Sequence, residues 1–388
     1  MNWIAEDQKY VFQTYLKQPL LIVKGKGSHV WDEKGKKYLD FFSGLSVDNL
    51  GHCDPDVARA ISDQARKIVH TSNLYYTLPQ IQLAKMLVEK SFPGKVFYCN
   101  SGAEANEAAF KLSRRWAKKH GLGNEIIAFE NSFHGRTFAT VSLTGQPRYQ
   151  RGFEPMAEKA VFAKFNDLES VGSLATEKTC AIFVEPVQGE GGVQPATKQF
   201  MEGLRQLCDQ KKLLLVFDEV QCGMGRTGNF FAFQHYGVKP DVLTLAKALG
   251  GGLPIGAVVA RDEVAALFER GDHGATFGGN AVVCRAAMEV VKILSPAFLK
   301  SVKRKGEILH QGLSKLKSKF PFIREVRGLG LMQGLVLNRS GKIYVDKARE
   351  AGLLINCTHD TVLRLLPPLT LSEPELRKGV SILESALS

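Results

Sequence analysis

The feature that most restricts how this chain can fold is a set of short, continuous apolar runs in its middle. Three runs of strand length span residues 179–184, 213–217 and 242–246. A strand with one face in water alternates apolar and polar residues, whereas a strand covered on both faces is apolar throughout. Because helical stretches separate these runs, the sequence predicts an α/β fold in which helices cover both faces of a mostly parallel sheet.

Two more predicted strands, at residues 95–99 and 125–129, flank a predicted helix at residues 103–119. The chain ends differ, since residues 20–42 predict antiparallel strands joined by glycine turns. The C-terminal quarter predicts a long helix followed by short strands. The expected domains are a large α/β domain at residues 51–280 and a smaller α+β domain built from residues 1–50 and 281–388.

The composition excludes several classes of protein. Of the 388 residues, 44% are hydrophobic and 23% are charged, which is ordinary for a globular protein and unlike a disordered or collagen-like chain. The apolar runs are far shorter than the roughly 20 residues of a membrane helix, and residues 1–10 lack the apolar core of a secretory signal. The seven cysteines form no C-x-x-C pair. Reduced thiols in the cytoplasm are therefore expected rather than a disulfide framework.

The formal net charge of +12 is the unusual number in this composition. Nucleic-acid binding, anionic substrates and solvated basic helices would each account for it. The predicted helix at residues 297–320 alone carries seven Lys and Arg residues against one acidic residue. The sequence shows no basic clusters interleaved with aromatic residues, so we expect solvated helix faces and no nucleic-acid partner.

Chemically capable residues follow the predicted strands, at the edge of a parallel sheet where ligands bind. The first of these strands is followed by a small turn at residues 100–104, which opens a helix. The free N–H groups and the positive dipole end of such a turn can hold a phosphate, although its polar residues could equally act as an ordinary helix cap. The later strands are followed by Arg136, Glu185, Asp218 and Lys247.

Lysine is the informative residue of this set. Lys247 follows an apolar strand and precedes three glycines at residues 250–252, which leave room around its amine. Partial burial lowers the pKa of a lysine and makes its amine nucleophilic, whereas a surface lysine at a strand end is the plain alternative. A nucleophilic lysine, a carboxylate and a phosphate-binding turn together match the needs of pyridoxal phosphate. In this hypothesis Lys247 bonds to the cofactor, Asp218 keeps the ring nitrogen protonated, and the turn at residues 101–103 holds the phosphate.

Two other kinds of site fit the sequence less well. The run at residues 223–228 has the glycine spacing of a dinucleotide fingerprint, but the residues after it are a poor start for a helix and no acidic residue ends the next strand. A metal site is not expected, because His52 and Cys53 have no suitably spaced partners and the nine histidines form no H-x-x-x-H pair.

Ordered motifs along essentially the whole chain resemble the class III aminotransferases of fold type I. The cofactor motifs that carry the resemblance lie at residues 101–107, 133–137, 185–192, 218–221, 244–252 and 276–280. The resemblance implies a pyridoxal-phosphate enzyme that works as a homodimer. Motifs at residues 144–150, 352–356 and 362–369 resemble, within the family, the enzymes that act on acetylornithine.

The resemblance assigns roles in cofactor binding. The residues implied to contact the cofactor are Ser101, Gly102, Ala103, Phe133, Asp218, Glu219, Val220, Gln221, Lys247 and Thr276. Gly102 and Ala103 would bind the phosphate through their backbone N–H groups. Phe133 would stack on the ring, and Gln221 would hydrogen-bond the ring hydroxyl group. Thr276 would reach the phosphate of the other subunit.

The resemblance also implies substrate contacts. Arg136 would clamp a substrate carboxylate and Arg364 the α-carboxylate of glutamate, since a planar guanidinium suits a bidentate pair. Glu190 would pair with Arg364 while the amine donor is bound, and a permanent structural ion pair is the alternative. Tyr15 and Ala275 are the remaining implied contacts. Ala275 stands where the acetylornithine enzymes usually have Ser, so a hydroxyl near the acyl group is missing.

The implied reaction is a ping-pong transamination with Lys247 and Asp218 as its catalytic residues. The terminal amine of N2-acetyl-L-ornithine passes to 2-oxoglutarate, which gives L-glutamate and N-acetyl-L-glutamate 5-semialdehyde, an intermediate of arginine biosynthesis. Ornithine, succinylornithine, succinyldiaminopimelate and 4-aminobutyrate remain alternative donors. An aminomutase of the same fold remains an alternative enzyme.

Overall fold

The computed structural model describes residues 2–157 and 160–388. The strands are β1 Ile22–Lys26, β2 His29–Asp32, β3 Lys37–Asp40, β4 Lys95–Cys99, β5 Glu125–Phe129, β6 Ala160–Ala163, β7 Thr179–Val184, β8 Val187–Gln188, β9 Gln194–Pro195, β10 Leu214–Asp218, β11 Val242–Leu245, β12 Gly256–Ala260, β13 Ile323–Leu329, β14 Met332–Leu337, β15 Leu353–Leu354, β16 Asn356–Thr358 and β17 Val362–Leu365. The helices are α1 Trp3–Tyr10, α2 Ser43–Ser46, α3 Pro55–Ala65, α4 Leu78–Lys90, α5 Gly102–His120, α6 Phe138–Ser142, α7 Leu168–Leu174, α8 Lys198–Lys211, α9 Asp262–Ala265, α10 Ala281–Ile293, α11 Pro296–Lys319, α12 Lys342–Glu350 and α13 Glu373–Leu387.

The central sheet has seven strands in the order β4-β12-β11-β10-β7-β5-β6. Its neighbouring strands are parallel except at β12, which pairs antiparallel with both β4 and β11. The predicted α/β fold with a mostly parallel sheet is therefore confirmed. Strand β12 was not predicted from the sequence, because its short apolar run follows β11 without an intervening α-helix.

Helices cover both faces of this sheet, and the alternation of side chains along each strand divides the core in two. In β10, Leu214 and Val216 belong to the core cluster that includes the buried face of α5. Leu215 and Phe217 point to the opposite face and join the larger cluster that includes α8. Both sets must be apolar because successive side chains of a strand face opposite sides, which explains the continuous runs.

Both chain ends contribute to smaller sheets. Strand β3 pairs in parallel with β15 near the C-terminus, in a sheet of order β1-β2-β3-β15. A second four-stranded sheet has the order β13-β14-β17-β16. The domain boundaries stay a prediction, and α10, just beyond the expected boundary at residue 280, packs against α3 and α4. No helix among the described residues has both the length and the apolar character that crossing a membrane requires.

The topology brings four strand ends together. Cys99, Val184, Asp218 and Leu245 end β4, β7, β10 and β11, which run in the same direction. The carboxyl ends of parallel strands meet at one edge of the sheet, where open α/β sheets bind ligands. The residues that follow these four strands are therefore neighbours in space, although they are up to about 150 positions apart in the chain.

Candidate active site

A cavity of about 430 Å³ lies at this edge of the central sheet. The predicted site residues that line it are Ser101, Gly102, Ala103, Phe133, Arg136, Glu190, Asp218, Val220, Gln221 and Lys247. Arg364 adjoins this group through hydrogen bonds to two lining residues, Glu190 and Gln221. The structure thus brings most of the predicted site residues together in one place.

Asp218 ends β10 and is 4% exposed. Its Oδ2 accepts hydrogen bonds from Asn106 Nδ2 at 2.7 Å and from His134 Nδ1 at 2.8 Å, and its Oδ1 accepts from the Val220 N–H at 3.0 Å. The Thr244 hydroxyl in turn donates to Asn106 Oδ1 at 2.8 Å. Burial acts to lower the pKa of His134, but the hydrogen bond to Asp218 and the negative charges of Asp218 and Glu185 together outweigh it, so that pKa is raised. Three donors therefore hold the carboxylate in one orientation.

Lys247 begins the turn after β11 with a backbone φ of +46°. This left-handed conformation is uncommon for a residue with a long side chain, and such strained backbone concentrates at functional sites. Burial lowers the pKa of the Lys247 amine below its ordinary 10.5, although the negative charges of Glu190 and Asp218 oppose this change. A larger share of the amine is therefore neutral, and the neutral form is the nucleophile.

The turn before α5 presents backbone donors to the cavity. The Ser101 Oγ accepts from the Glu104 N–H at 3.2 Å and so caps the helix. The N–H groups of Gly102 and Ala103, within the described part of the chain, have no acceptor, and they lie at the positive end of the helix dipole. A Cβ atom on Gly102 would lie 2.7 Å from Cγ1 of Val220, so the close approach of these two segments requires glycine.

Arg364 lies in β17 and is 1% exposed. Its Nη1 donates to Oε1 of Glu190 at 2.6 Å and to Oε1 of Gln221 at 3.2 Å. Burial acts to raise the pKa of Glu190, but the charge and hydrogen bond of Arg364, with smaller contributions from Lys247 and Gln221, together outweigh it, and that pKa falls below its ordinary 4.5. The structure thus forms the ion pair that the resemblance implies.

Arg136 is exposed at the cavity and stacks on aromatic rings. Its Cζ lies 3.8 Å from the ring centroid of Tyr149 and 5.4 Å from that of Phe133. Stacking uses the flat face of the guanidinium and leaves its edge, which carries the N–H donors, available for a carboxylate.

Glu219 does not line the cavity, in contrast to its implied role in cofactor binding. Its carboxylate accepts the backbone N–H groups of Ala232 and Phe233 at 2.6 Å each, and burial raises its pKa to about 8. The side chain points away from the cavity because Asp218, its neighbour in extended chain, points into it. Glu219 therefore anchors a neighbouring backbone segment.

Three other predicted residues also lie away from the cavity. Tyr15 is 76% exposed on the N-terminal segment. Thr276 lies beside a separate, smaller cavity, and the backbone carbonyl of Ala275 accepts from Asn73 Nδ2 at 3.1 Å. Within one chain, these residues contribute nothing to the cavity at the sheet edge.

Sequence reasoning assigned no role to three buried residues near Asp218, namely Asn106, His134 and Glu185. Glu185 accepts the Phe133 N–H at 2.9 Å, and burial raises its pKa to about 7. The available signals were local: Glu185 directly follows a strand, and His134 follows Phe133 within one motif. Their partners are distant in sequence, so their contacts could not be read from it.

A family model described as "Aminotransferase class-III" matches residues 10–387. The chain belongs to this family. Family membership implies pyridoxal phosphate as the cofactor, and it agrees with the predicted fold type I architecture.

Several class III relatives match this chain over almost its full length. Acetylornithine aminotransferase from Methanocaldococcus jannaschii is 50% identical over 390 residues, which cover 100% of this chain and 98% of the relative. Succinylornithine transaminase from Salmonella paratyphi A is 44% identical, over 96% and 93% of the two chains. The structure of ornithine aminotransferase from Toxoplasma gondii, reported with partial occupancy of PLP at its active site, superposes with a TM-score of 0.95 at 32% identity, over 99% and 93% of the two chains.

Proposed function

We propose that this class III aminotransferase transfers the terminal amino group of N2-acetyl-L-ornithine to 2-oxoglutarate. The products are N-acetyl-L-glutamate 5-semialdehyde and L-glutamate, as arginine biosynthesis requires. The observation that carries the reaction is a single cavity with a lysine amine of lowered pKa, a fixed carboxylate and an arginine–glutamate pair. The 50% identity to an acetylornithine aminotransferase supports the donor, and seven scattered cysteines without a C-x-x-C pair favour the cytoplasm.

The residues of the cavity fit pyridoxal phosphate. Once bound, this cofactor supplies an aldehyde that can bond to an amine and a ring that withdraws electrons. We assign Lys247 as the residue that bonds to it and Asp218 as the partner of its ring nitrogen. The unpaired N–H groups of Gly102 and Ala103 are donors for its phosphate, and Phe133 supplies an aromatic face.

Lys247 has a second task as a general base and acid. Its amine of lowered pKa can accept the proton from the substrate carbon that bears the donor's amino group, and can return a proton when glutamate forms. Glu190 and Asp218 limit the fall of that pKa, so the amine keeps enough basicity for the first transfer. Asp218 itself is kept in place by Asn106 and His134.

The pair of Arg364 and Glu190 lets one cavity accept two substrates of different charge. While paired, the guanidinium is neutralised, which suits a donor that reacts through its side-chain amine. When 2-oxoglutarate binds, its α-carboxylate replaces Glu190 on Arg364 in a bidentate contact. Arg136, stacked on Tyr149, takes the other carboxylate.

We expect Glu190→Gln to separate the two half-reactions. Gln cannot neutralise Arg364, so the donor meets an uncompensated buried cation, and kcat/KM for the donor falls about tenfold or more. The kcat/KM for 2-oxoglutarate changes less, because Arg364 is free to bind the carboxylate of this substrate. Single-turnover rates of each half-reaction measure the two effects. Equal losses in both would mean that the pair is only a structural ion pair.

We also propose that the active unit is a homodimer in which Thr276, Tyr15 and Ala275 serve the partner's site. Asn73 donates to the Ala275 carbonyl at 3.1 Å and so ties the segment around Thr276 to a neighbouring apolar surface. The large, mostly exposed residues of that surface are Leu74, Tyr75, Tyr76, Leu78 and Phe277. Large apolar residues exposed close together in this way mark an interface between proteins. The molar mass in solution should be twice the 42.8 kDa of one chain, and a monomeric active enzyme would contradict the proposal.

Incubation of the holoenzyme with acetylornithine and 2-oxoglutarate tests the reaction type. We expect glutamate and the aldehyde in equal amounts; when 2-oxoglutarate is left out, we expect no glutamate and at most one aldehyde per active site, because the reaction stops after its first half. An aminomutase consumes its substrate without an external keto acid, so turnover without 2-oxoglutarate would overturn the assignment as a transaminase.

A further inference from the structure

The glycine-rich run at residues 223–228, which has the spacing of a dinucleotide fingerprint, takes no part in the reaction described above. Its central residue, Arg226, is 0% exposed and does not line the cavity at the sheet edge. A Cβ atom on Gly225, whose φ is +83°, would lie 2.8 Å from Leu294 and 3.0 Å from Leu369. The glycine spacing of this run therefore serves close packing around a buried cation.

Arg226 donates hydrogen bonds to three separate parts of the chain. Its Nε donates to Ser46 Oγ at 2.9 Å, and its Nη2 donates to Asn49 Oδ1. Its Nη1 donates to the carbonyl of Leu331 at 3.0 Å and to that of Pro367 at 2.5 Å. The N-terminal segment, the large central part and the C-terminal part of the chain meet at this one side chain.

These four acceptors are all neutral groups. A buried charge without a carboxylate partner is costly unless hydrogen bonds compensate for it. Burial lowers the pKa of Arg226 to about 9, and the charge of Asp40 opposes this change. The guanidinium suits the position because its rigid fork of five N–H donors can serve four acceptors on different sides, whereas a lysine has only three N–H donors on one atom.

The contacts of Arg226 close a ring that includes the substrate-binding arginine. Ser46 Oγ donates in turn to the carbonyl of Gln221 at 3.1 Å, and Oε1 of Gln221 accepts from Arg364 at 3.2 Å. Arg364 lies three positions before Pro367, and the carbonyl of Pro367 accepts from Arg226, which closes the ring. The ring therefore connects Gln221, which lines the cavity, with Arg364, which adjoins it.

We propose that Arg226 is a positioning residue that sets the place of Arg364 relative to Gln221 and thus to the cofactor side of the cavity. The inference rests on the proposed function, in which Arg364 binds the α-carboxylate of 2-oxoglutarate. A displacement of about 1 Å in such a group can cost roughly 100-fold in rate. Arg226 acts through Arg364 and does not touch the substrate.

Two variants, Arg226→Met and Ser46→Ala, break the ring at different points. We expect Arg226→Met to lower kcat/KM for 2-oxoglutarate by about tenfold or more, mainly through KM, and Ser46→Ala to do so by a smaller factor. In both variants kcat/KM for the amine donor should change less, because the donor does not bind to Arg364. Ser46→Ala removes a single hydroxyl, so it keeps the test open if Arg226→Met fails to fold.

Lys305→Met is the matched control for lost stability. Lys305 is also a buried cation, 8% exposed, and its Nζ donates to the carbonyl of Leu369 in the segment after Pro367, but it is not part of the ring. We expect this variant to lower Tm without raising KM for 2-oxoglutarate.

The outcomes separate the inference from the proposed function. A rise in KM for 2-oxoglutarate in both ring variants and not in Lys305→Met supports the inference. Equal losses for both substrates, or an unchanged KM in Ser46→Ala, would overturn it and leave Arg226 a structural residue. If the wild-type enzyme does not aminate 2-oxoglutarate at all, the proposed function fails and the inference falls with it.

Discussion

Lys247→Ala should reduce kcat for glutamate formation by about 10⁴-fold or more, because it removes both the nucleophile and the general base. The backbone at this position is already in a strained conformation, with φ at +46°, and the smaller side chain leaves it there. The fold and the rest of the cavity should therefore survive. Steady-state rates at saturating substrate measure the loss.

A chemical readout distinguishes this loss from simple inactivation. Borohydride reduction of the wild-type holoenzyme should attach the cofactor to the peptide that contains Lys247, and mass spectrometry should find no such adduct in Lys247→Ala. Lys300→Ala, an exposed base on α11, is the control and should behave as wild type. Full turnover of Lys247→Ala, or an adduct on another lysine, would show that a different residue carries the cofactor.

Asp218→Asn is expected to produce the second large effect, a fall in kcat of about 10²- to 10⁴-fold. Asn has nearly the shape of Asp but no charge, so it cannot stabilise a proton on the cofactor's ring nitrogen. Its amide has only one acceptor oxygen, so it cannot accept both from Asn106 and His134, as Oδ2 does at 2.7 Å and 2.8 Å, and from the Val220 N–H, as Oδ1 does at 3.0 Å. Rates of single turnover with a saturating donor measure the chemical step directly.

Asp241→Asn is the matched control for Asp218→Asn. Asp241 is likewise a buried carboxylate, 1% exposed, but it pairs with Arg205 at 3.1 Å, away from the cavity. We expect this variant to unfold at a lower temperature and to keep its kcat. A kcat of Asp218→Asn within about threefold of wild type would contradict the role of that carboxylate.

Much of the site could be predicted because its main residues follow buried strands. Asp218 and Lys247 end or follow continuous apolar runs, and the sheet topology forces such positions to one edge. The apolar runs do not show in which direction a side chain just after a strand points. Glu219, next to Asp218, points to the backbone of Ala232 and Phe233, and only the three-dimensional packing reveals that.

Contacts between segments that are distant in the chain could not be predicted from the sequence. The partners of Asp218 come from α5 and from the loop after β5, and the ring around Arg226 joins parts of the chain more than 300 positions apart. The expectation that most of the excess basic residues lie on solvated helix faces does not extend to one position. Lys305 of α11 is 8% exposed and bonds to the Leu369 carbonyl, because this side of the helix packs on the segment after β17.

The identity of the amine donor is the most specific part of the proposed function. The measurement that tests it most directly is kcat/KM for acetylornithine, succinylornithine, ornithine and 4-aminobutyrate, each with saturating 2-oxoglutarate and with glutamate formation followed. We predict that acetylornithine has the highest value, about tenfold or more above ornithine, which lacks the acyl group. An equal or higher value for any of the other three donors would contradict the assignment.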